Sequence, residues 1–74
     1  MGDKYPVLTP REIIRKLELF GFEYKSQKGS HIKYVNSDVP KRIAIIPNHA
    51  TVAKGTLKSI LEQANITLDD FLQK

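Results

Sequence analysis

Two histidines, His31 and His49, are the side chains of this sequence best suited to move protons near neutral pH, because imidazole titrates in that range. The chain has no cysteine, which excludes a thiolate nucleophile, a thiolate metal site and a disulfide. Two histidines without an i, i+4 spacing make a poor metal site, so we expect no metal and no cofactor. Acid–base chemistry by histidine is the chemistry that these residue types favour.

Basic residues flank the first histidine, and the whole chain is basic. Twelve Lys and Arg against eight Asp and Glu give 74 residues a net charge of +4, which favours nucleic acid, an anionic membrane surface or an acidic protein as partner. No apolar run approaches the ~20 residues that span a bilayer. The first six residues also lack the apolar core of a signal peptide. We therefore expect a cytoplasmic protein without membrane contact.

Hydrophobic periodicity predicts the elements that must position these residues. Residues 1–74 are expected to form one domain, with residues 1–8 as an extended lead-in. A capping box with Pro at the first helical position, Thr9-Pro10-Arg11-Glu12, predicts a helix that stops at Gly21. Alternation over 22–27 and 31–36, and a β-branched run over 42–46, predict three antiparallel strands.

Two further helices follow the strands in the predicted order. Gly55-Thr56 opens a helical pattern that ends at Asn65, and Thr67 opens a short C-terminal helix whose Phe71 and Leu72 fold back on the core. The fold class is thus α+β, with the order α-β-β-β-α, a three-stranded antiparallel sheet, two helices on one face and a short C-terminal helix. The other face of the sheet is left open.

The strand register predicts which side chains share the open face. Centring the first hairpin on Gly29 opposes Tyr24 to Tyr34 and Ser26 to Ile32. Centring the second hairpin between Asp38 and Val39 opposes Ile32 to Ile45 and Tyr34 to Ile43. The open face then carries Glu23, Lys25, Gln27, His31, Lys33, Val35, Arg42, Ala44 and Ile46.

One end of the predicted sheet collects both histidines, because strand 2 begins where strand 3 ends. The same end gathers Lys28, Lys33, Lys54 and the N-terminus of the second helix, whose free N–H groups suit a phosphate. Each feature also has a purely structural interpretation: surface histidines, a solvated lysine face and an ordinary helix start.

Several short motifs occur together in this sequence: Gly21-Phe22, Gln27-Lys28-Gly29-Ser30-His31 with Tyr34, Pro47-Asn48-His49, and Lys54-Gly55-Thr56-Leu57. In combination, and over Thr9 to Leu72, they resemble the HicA (YcfA-like) toxins of type II toxin–antitoxin systems. Two departures are Ser26, where members often carry a basic residue, and Asn65, where they often carry glycine. The resemblance implies a double-stranded-RNA-binding-domain-like fold and a ribosome-independent mRNA endonuclease, an mRNA interferase, inhibited by a HicB-type antitoxin.

The resemblance also implies a catalytic residue, because the family's catalytic histidine falls on His31. From its predicted position, His49 is either a second catalytic group or structural. From the basic face and the end of the predicted sheet, the expected RNA-binding residues are Lys25, Lys28, Gly29, Ser30, Lys33, Arg42 and Lys54. Two other functions stay open from the sequence: a non-catalytic RNA-binding module with a basic sheet face, and a small adaptor for an acidic protein.

Overall fold

The first helix, α1 (Pro10–Leu19), begins where its capping box predicts in this computed structural model, which describes residues 5–74. Glu12 Oε1 accepts a 2.8 Å hydrogen bond from the Thr9 amide, and Thr9 Oγ1 accepts one of 3.2 Å from the Glu12 amide. The bond from the Thr9 amide, followed by the Thr9 hydroxyl, holds the pKa of the Glu12 carboxyl below its ordinary value. Gly21, with φ of 90°, ends the helical segment as predicted.

Three strands form an antiparallel sheet in the order β1-β2-β3: β1 (Glu23–Lys28), β2 (His31–Asn36) and β3 (Arg42–Pro47). The turn between β1 and β2 has Gly29 at its first central position with φ of 59°, the pattern of a type II′ turn. A Cβ at Gly29 would meet nothing within 4 Å, so backbone conformation, and not lack of space, favours glycine here.

The β1–β2 hairpin follows the predicted register only as far as a β-bulge. Tyr24 lies opposite Tyr34, as predicted, with the ring centroids 6.0 Å apart in an edge-to-face arrangement. The bulge between Tyr24 and Ser26 inserts one residue into β1, so the pairs nearer the turn become Ser26–Lys33, Gln27–Ile32 and Lys28–His31. The predictions that Ser26 opposes Ile32 and that Gln27 shares the open face are therefore wrong.

The β2–β3 hairpin is shifted by one residue from the predicted register. Tyr34 lies opposite Ala44, whereas the sequence predicted Ile43, and Ile32 lies opposite Ile46. The reason is the loop of residues 37–41 between the strands: an odd number of residues centres the hairpin on a residue and not on a peptide bond. Register is thus set by the length of this loop.

The shift exchanges the two faces of β3. Ala44 and Ile46 are fully buried against the helices, so the prediction that they belong to the open face is wrong. Ile43 and Ile45 take their place and are half-buried. The open-face positions of β2 and β3 are His31, Lys33, Val35, Ile43, Ile45 and Pro47.

The remaining helices follow the predicted boundaries closely. Helix α2 (Lys54–Ala64) starts one residue before the predicted start, and Asn65 caps it in the left-handed conformation, φ 57° and ψ 45°, as predicted. Helix α3 (Leu68–Gln73) follows the Thr67 cap. Phe71 is fully buried, but Leu72 is 44% exposed, which corrects the prediction that Leu72 folds back on the core.

The core lies between the helices and the β2–β3 side of the sheet. Its members are Ile13, Leu17, Phe22, Ile32, Tyr34, Ala44, Ile46, Val52, Leu57, Ile60, Leu61, Ala64, Ile66 and Phe71. The expected lead-in falls partly on residues 1–4, outside the described residues; its last residue, Leu8, forms an isolated antiparallel bridge with Val52. Strand β1 is exposed at every position, whereas β2 buries every second residue from Ile32 onward, so β1 alone lies beyond the helix layer.

Candidate active site

Both histidines line one cavity of about 440 Å³. His31, the first residue of β2, lies opposite Pro47, the last residue of β3. The Asn48 amide donates a 2.6 Å hydrogen bond to the Ser30 carbonyl, so the loop that carries His49 is joined to the turn that precedes His31. The prediction that the two histidines meet at one end of the sheet is confirmed.

The cavity lies along the outer edge of β3, between that strand and α2. Apart from the histidines, its walls are Ile45, Pro47, Thr51, Val52, Ala53, Thr56, Ser59, Ile60 and Gln63. The α2 members recur at intervals of three and four residues, which places them on one side of the helix. Sequence reasoning missed Ser59 and Gln63; the signal that could have found them is this spacing along α2 from Thr56.

Two hydrogen bonds fix the polar groups of the α2 wall. The Ile45 amide donates to Gln63 Oε1 at 3.3 Å, so the Gln63 side chain satisfies a donor on the outer edge of β3. Ser59 Oγ donates to the Gly55 carbonyl at 3.3 Å, one helical turn earlier. These bonds leave the Gln63 amide NH₂ and the Ser59 lone pairs free to meet a ligand.

The N-terminus of α2 reaches the cavity without a side-chain cap. Its N-cap residue is Ala53, which offers no side-chain hydrogen bond, and the first turn contains no acidic residue. Ala53 and Thr56 both line the cavity, as the convergence of the helix start with the histidines predicts. The first-turn N–H groups and the positive end of the helix dipole therefore favour an anion beside the histidines. Lys54 opens α2 but lies outside the cavity wall.

Two of the expected RNA-binding lysines lie close to His31. Lys28 is its cross-strand partner, and Lys33 lies two residues further along the same face of β2. Lys25, at the bulge, instead lines a separate cleft at the other end of the hairpin with Glu23 and Lys41. The structure thus brings Lys28 and Lys33 together with His31 and places Lys25 away from it.

Gly29 and Ser30 contribute to the site through their backbone. Gln27 Nε2 donates to the Gly29 carbonyl at 3.0 Å and braces the turn. The Ser30 carbonyl accepts the bond from Asn48, and His31 follows directly. The turn therefore fixes where β2 begins and hence where His31 projects.

Arg42 does not lie on the open face, contrary to the prediction. It pairs with Asn36, whose side chain is 1% exposed, and its Nη1 donates to the Ala64 carbonyl at 3.1 Å. Its guanidinium also lies 5.4 Å from the centroid of the Phe22 ring. The one-residue register shift moves Arg42 to the helix side, where it satisfies a carbonyl at the C-terminus of α2.

Neither a metal cluster nor a membrane span is found among residues 5–74. In that range, no group of three or more His, Cys, Asp or Glu side chains is placed to hold a metal ion. Within it, too, each helix is too short or too polar to cross a bilayer.

The chain matches a known protein family over most of its length. A family model described as the HicA toxin of bacterial toxin–antitoxin systems matches residues 10–66. The matched segment runs from the start of α1 to just beyond α2 and includes both histidines. It ends before α3. No curated protein matches the chain.

Proposed function

The chain belongs to the HicA toxin family, which makes it the toxin of a toxin–antitoxin system with an antitoxin partner, and from this premise we propose a specific activity. The toxin is a ribosome-independent mRNA endonuclease in which His31 transfers protons. The observation that carries the proposal is the shared cavity: two histidines, the uncapped start of α2 and the adjacent Lys28 form one surface.

Cleavage of RNA needs no external nucleophile, because the 2′-hydroxyl attacks the neighbouring phosphorus. A base takes the 2′-OH proton, the P–O5′ bond breaks, and an acid returns a proton to the departing 5′ oxygen. The products are a 2′,3′-cyclic phosphate and a 5′-hydroxyl. His31 fills one of these roles, an effect worth about 10²–10⁴-fold in rate. We assign the other role to His49, because it lines the same cavity. The reaction as proposed uses no metal ion.

The cations and the helix terminus stabilise the transition state. Negative charge builds up on the non-bridging phosphate oxygens as the phosphorus becomes five-coordinate. Lys28 and Lys33 beside His31 offset that charge, as do the free N–H groups at the start of α2. Fixed donors of this kind act without reorganising during the reaction.

Labelled RNA mixed with purified toxin tests the proposal. We expect wild type to shorten the RNA and to arrest growth on induction, and His31→Ala to do neither while keeping its circular dichroism spectrum. Lys58→Ala is the matched control, because Lys58 is exposed and outside the cavity wall. Cleavage and growth arrest by folded His31→Ala would overturn the assignment. If wild type retards the RNA in a native gel but does not cut it, the result would favour a non-catalytic RNA-binding module.

His49 is tested in the same assay. We expect His49→Ala to cleave more slowly than wild type, because the second proton transfer then depends on water. Full activity of His49→Ala would make His49 a structural residue.

The antitoxin is proposed to be of the HicB type and to act by covering the cavity and its lysines with acidic side chains. We expect Lys33→Glu to reduce inhibition, since it reverses a charge beside His31. Lys58→Glu, which makes the same charge change on the far side of α2, should leave inhibition intact. Equal inhibition of both variants would contradict this arrangement.

A further inference from the structure

We propose that the cavity between β3 and α2 binds one nucleobase of the RNA, beside the phosphate held at His31, and that Gln63 and Ser59 contact the edge of that base. The inference rests on the proposed ribonuclease function and assigns it a specificity subsite. Four residues line the same cavity as both histidines but have no role in the proton transfers or in charge stabilisation: Thr51, Ser59, Ile60 and Gln63.

The volume and walls of the cavity suit a nucleobase. Its volume of about 440 Å³ lies within the range of about 300–1,000 Å³ that is typical of small-ligand sites. Ile45, Pro47 and Ile60 supply apolar wall on the β3 and α2 sides, and an unstacked base needs such contacts for its faces. Ile60 is almost fully buried, so the apolar wall is continuous with the core.

The polar wall offers one donor and one acceptor at helical spacing. Because Gln63 Oε1 already accepts the Ile45 amide, its carboxamide is oriented and its NH₂ is left to donate. Because the Ser59 hydroxyl donates to the Gly55 carbonyl, its lone pairs are left to accept. Each nucleobase carries neighbouring donor and acceptor atoms on an edge, so this pair can recognise a base and discriminate by their order.

The position of the cavity makes a nucleotide the fitting occupant. A phosphate at His31 and the start of α2 has its own ribose and base attached within a few bonds. The cavity opens at that same point, since His31, Ala53 and Thr56 belong to its wall. The base of the nucleotide that carries the scissile phosphate can therefore enter the cavity while its phosphate stays at His31.

Nuclear magnetic resonance titration with the four nucleoside 3′-monophosphates tests the site without requiring cleavage. We expect the Ile45 amide and the Gln63 side-chain NH₂ signals to shift, to different degrees with the four bases. Gln63→Ala should weaken binding of the preferred nucleotide about fivefold, the loss of one hydrogen bond. Gln63 is exposed, so the variant should fold. Gln73→Ala, an exposed glutamine on α3 away from the cavity, is the matched control and should bind as wild type does.

Cleavage of RNAs that differ at the nucleotide beside the cut provides the second readout. Gln63→Ala should reduce the spread of kcat/KM among the four substrates by about fivefold, and Gln73→Ala should preserve it. Equal nucleotide affinity of wild type and Gln63→Ala, with the same base preference in cleavage, would overturn the subsite alone. Base-dependent titration by a toxin that cuts no RNA would overturn the ribonuclease function and support the base site.

Discussion

The Asn48 amide donates a 2.6 Å hydrogen bond to the Ser30 carbonyl, and this contact joins the two chain segments that carry the histidines. One segment is the β1–β2 turn and the other is the loop after β3. The separation of His31 and His49 therefore depends on a backbone bond that either histidine substitution leaves in place. Proton-transfer groups need such fixed placement, because small displacements of reacting groups are costly in rate.

Removing the Asn48 donor should reduce cleavage. Asn48→Pro lacks the backbone N–H, so the loop loses its bond to Ser30 and the histidines lose their mutual geometry; we expect kcat to fall by about 10–100-fold. Asn48→Ala keeps the N–H and should retain activity close to wild type. Single-turnover cleavage of a labelled RNA measures the effect. Equal rates for the two variants would show that the bond does not position the site.

Lys28 and Lys33 should carry a measurable part of the salt dependence of RNA binding. Each contact with a phosphate releases counterions, so replacing either lysine by alanine should lower the slope of log K against log salt by about 1. Lys58→Ala should leave the slope unchanged. Fluorescence anisotropy with a 2′-O-methyl RNA, which has no free 2′-hydroxyl to act as nucleophile, gives the slope. Identical slopes for all three variants would exclude phosphate contacts at these lysines.

Arg42 should matter for stability and not for RNA binding. Its hydrogen bond to the Ala64 carbonyl and its contact with Phe22 predict that Arg42→Ala lowers the free energy of unfolding by about 1–2 kcal/mol. Urea denaturation measures this loss, and the salt slope of RNA binding should stay at the wild-type value. A lower salt slope of RNA binding, with an unchanged free energy of unfolding, would show that Arg42 belongs to the RNA-binding surface.

The Glu12 capping box should make stability depend on acid. The pKa of Glu12 is lowered in the folded chain, so its contribution is present above the ordinary glutamate value of about 4.3 and is lost as the pH falls through the folded value. Between about pH 5 and about pH 3, the melting temperature of wild type should therefore fall further than that of Glu12→Gln.

Thr9→Ala supplies the control for that prediction, because it removes the hydroxyl that accepts from the Glu12 amide and keeps the backbone N–H that donates to the Glu12 carboxylate. The two substitutions should be non-additive in the double variant, because each acts on one bond of the same reciprocal pair. Additive losses, or an unchanged pH profile for Glu12→Gln, would contradict the capping-box explanation.

Local signals predicted most of the elements. The Thr9 capping box, Gly21 and the left-handed Asn65 cap depend only on neighbouring backbone groups, and each appears where the sequence indicated. The register of the β2–β3 hairpin depends on how loop 37–41 closes, which no single residue determines. The predicted register was therefore wrong by one position. Arg42 was misplaced for that reason alone.

The prediction that both histidines lie at one end of the sheet was correct despite the register error. His31 is the first residue of β2, and β3 ends beside it whether His31 pairs with Pro47 or with Ile46. A shift of one residue therefore does not change which chain ends lie together. Gln63 and Ser59 were not predicted because their role depends on how α2 lies along β3. The packing of the buried side of α2 sets that placement; its residues are Leu57, Ile60, Leu61 and Ala64. Periodicity predicted that this side is buried, but not where it lies on the sheet.

Strand β1 is exposed at all of its positions, and this separates two kinds of loss in a genetic selection. Cells that survive induction of a toxin carry variants that either fail to fold or fail to act. Substitutions at Ile13 or Phe71, which are fully buried, belong to the first kind. Substitutions in residues 23–28 remove no buried side chain, so survivors there, apart from those at Tyr24 and Gln27, which contact Tyr34 and the turn, identify positions at which a folded toxin fails to act. The outer strand therefore allows loss of toxicity to be separated from loss of the fold.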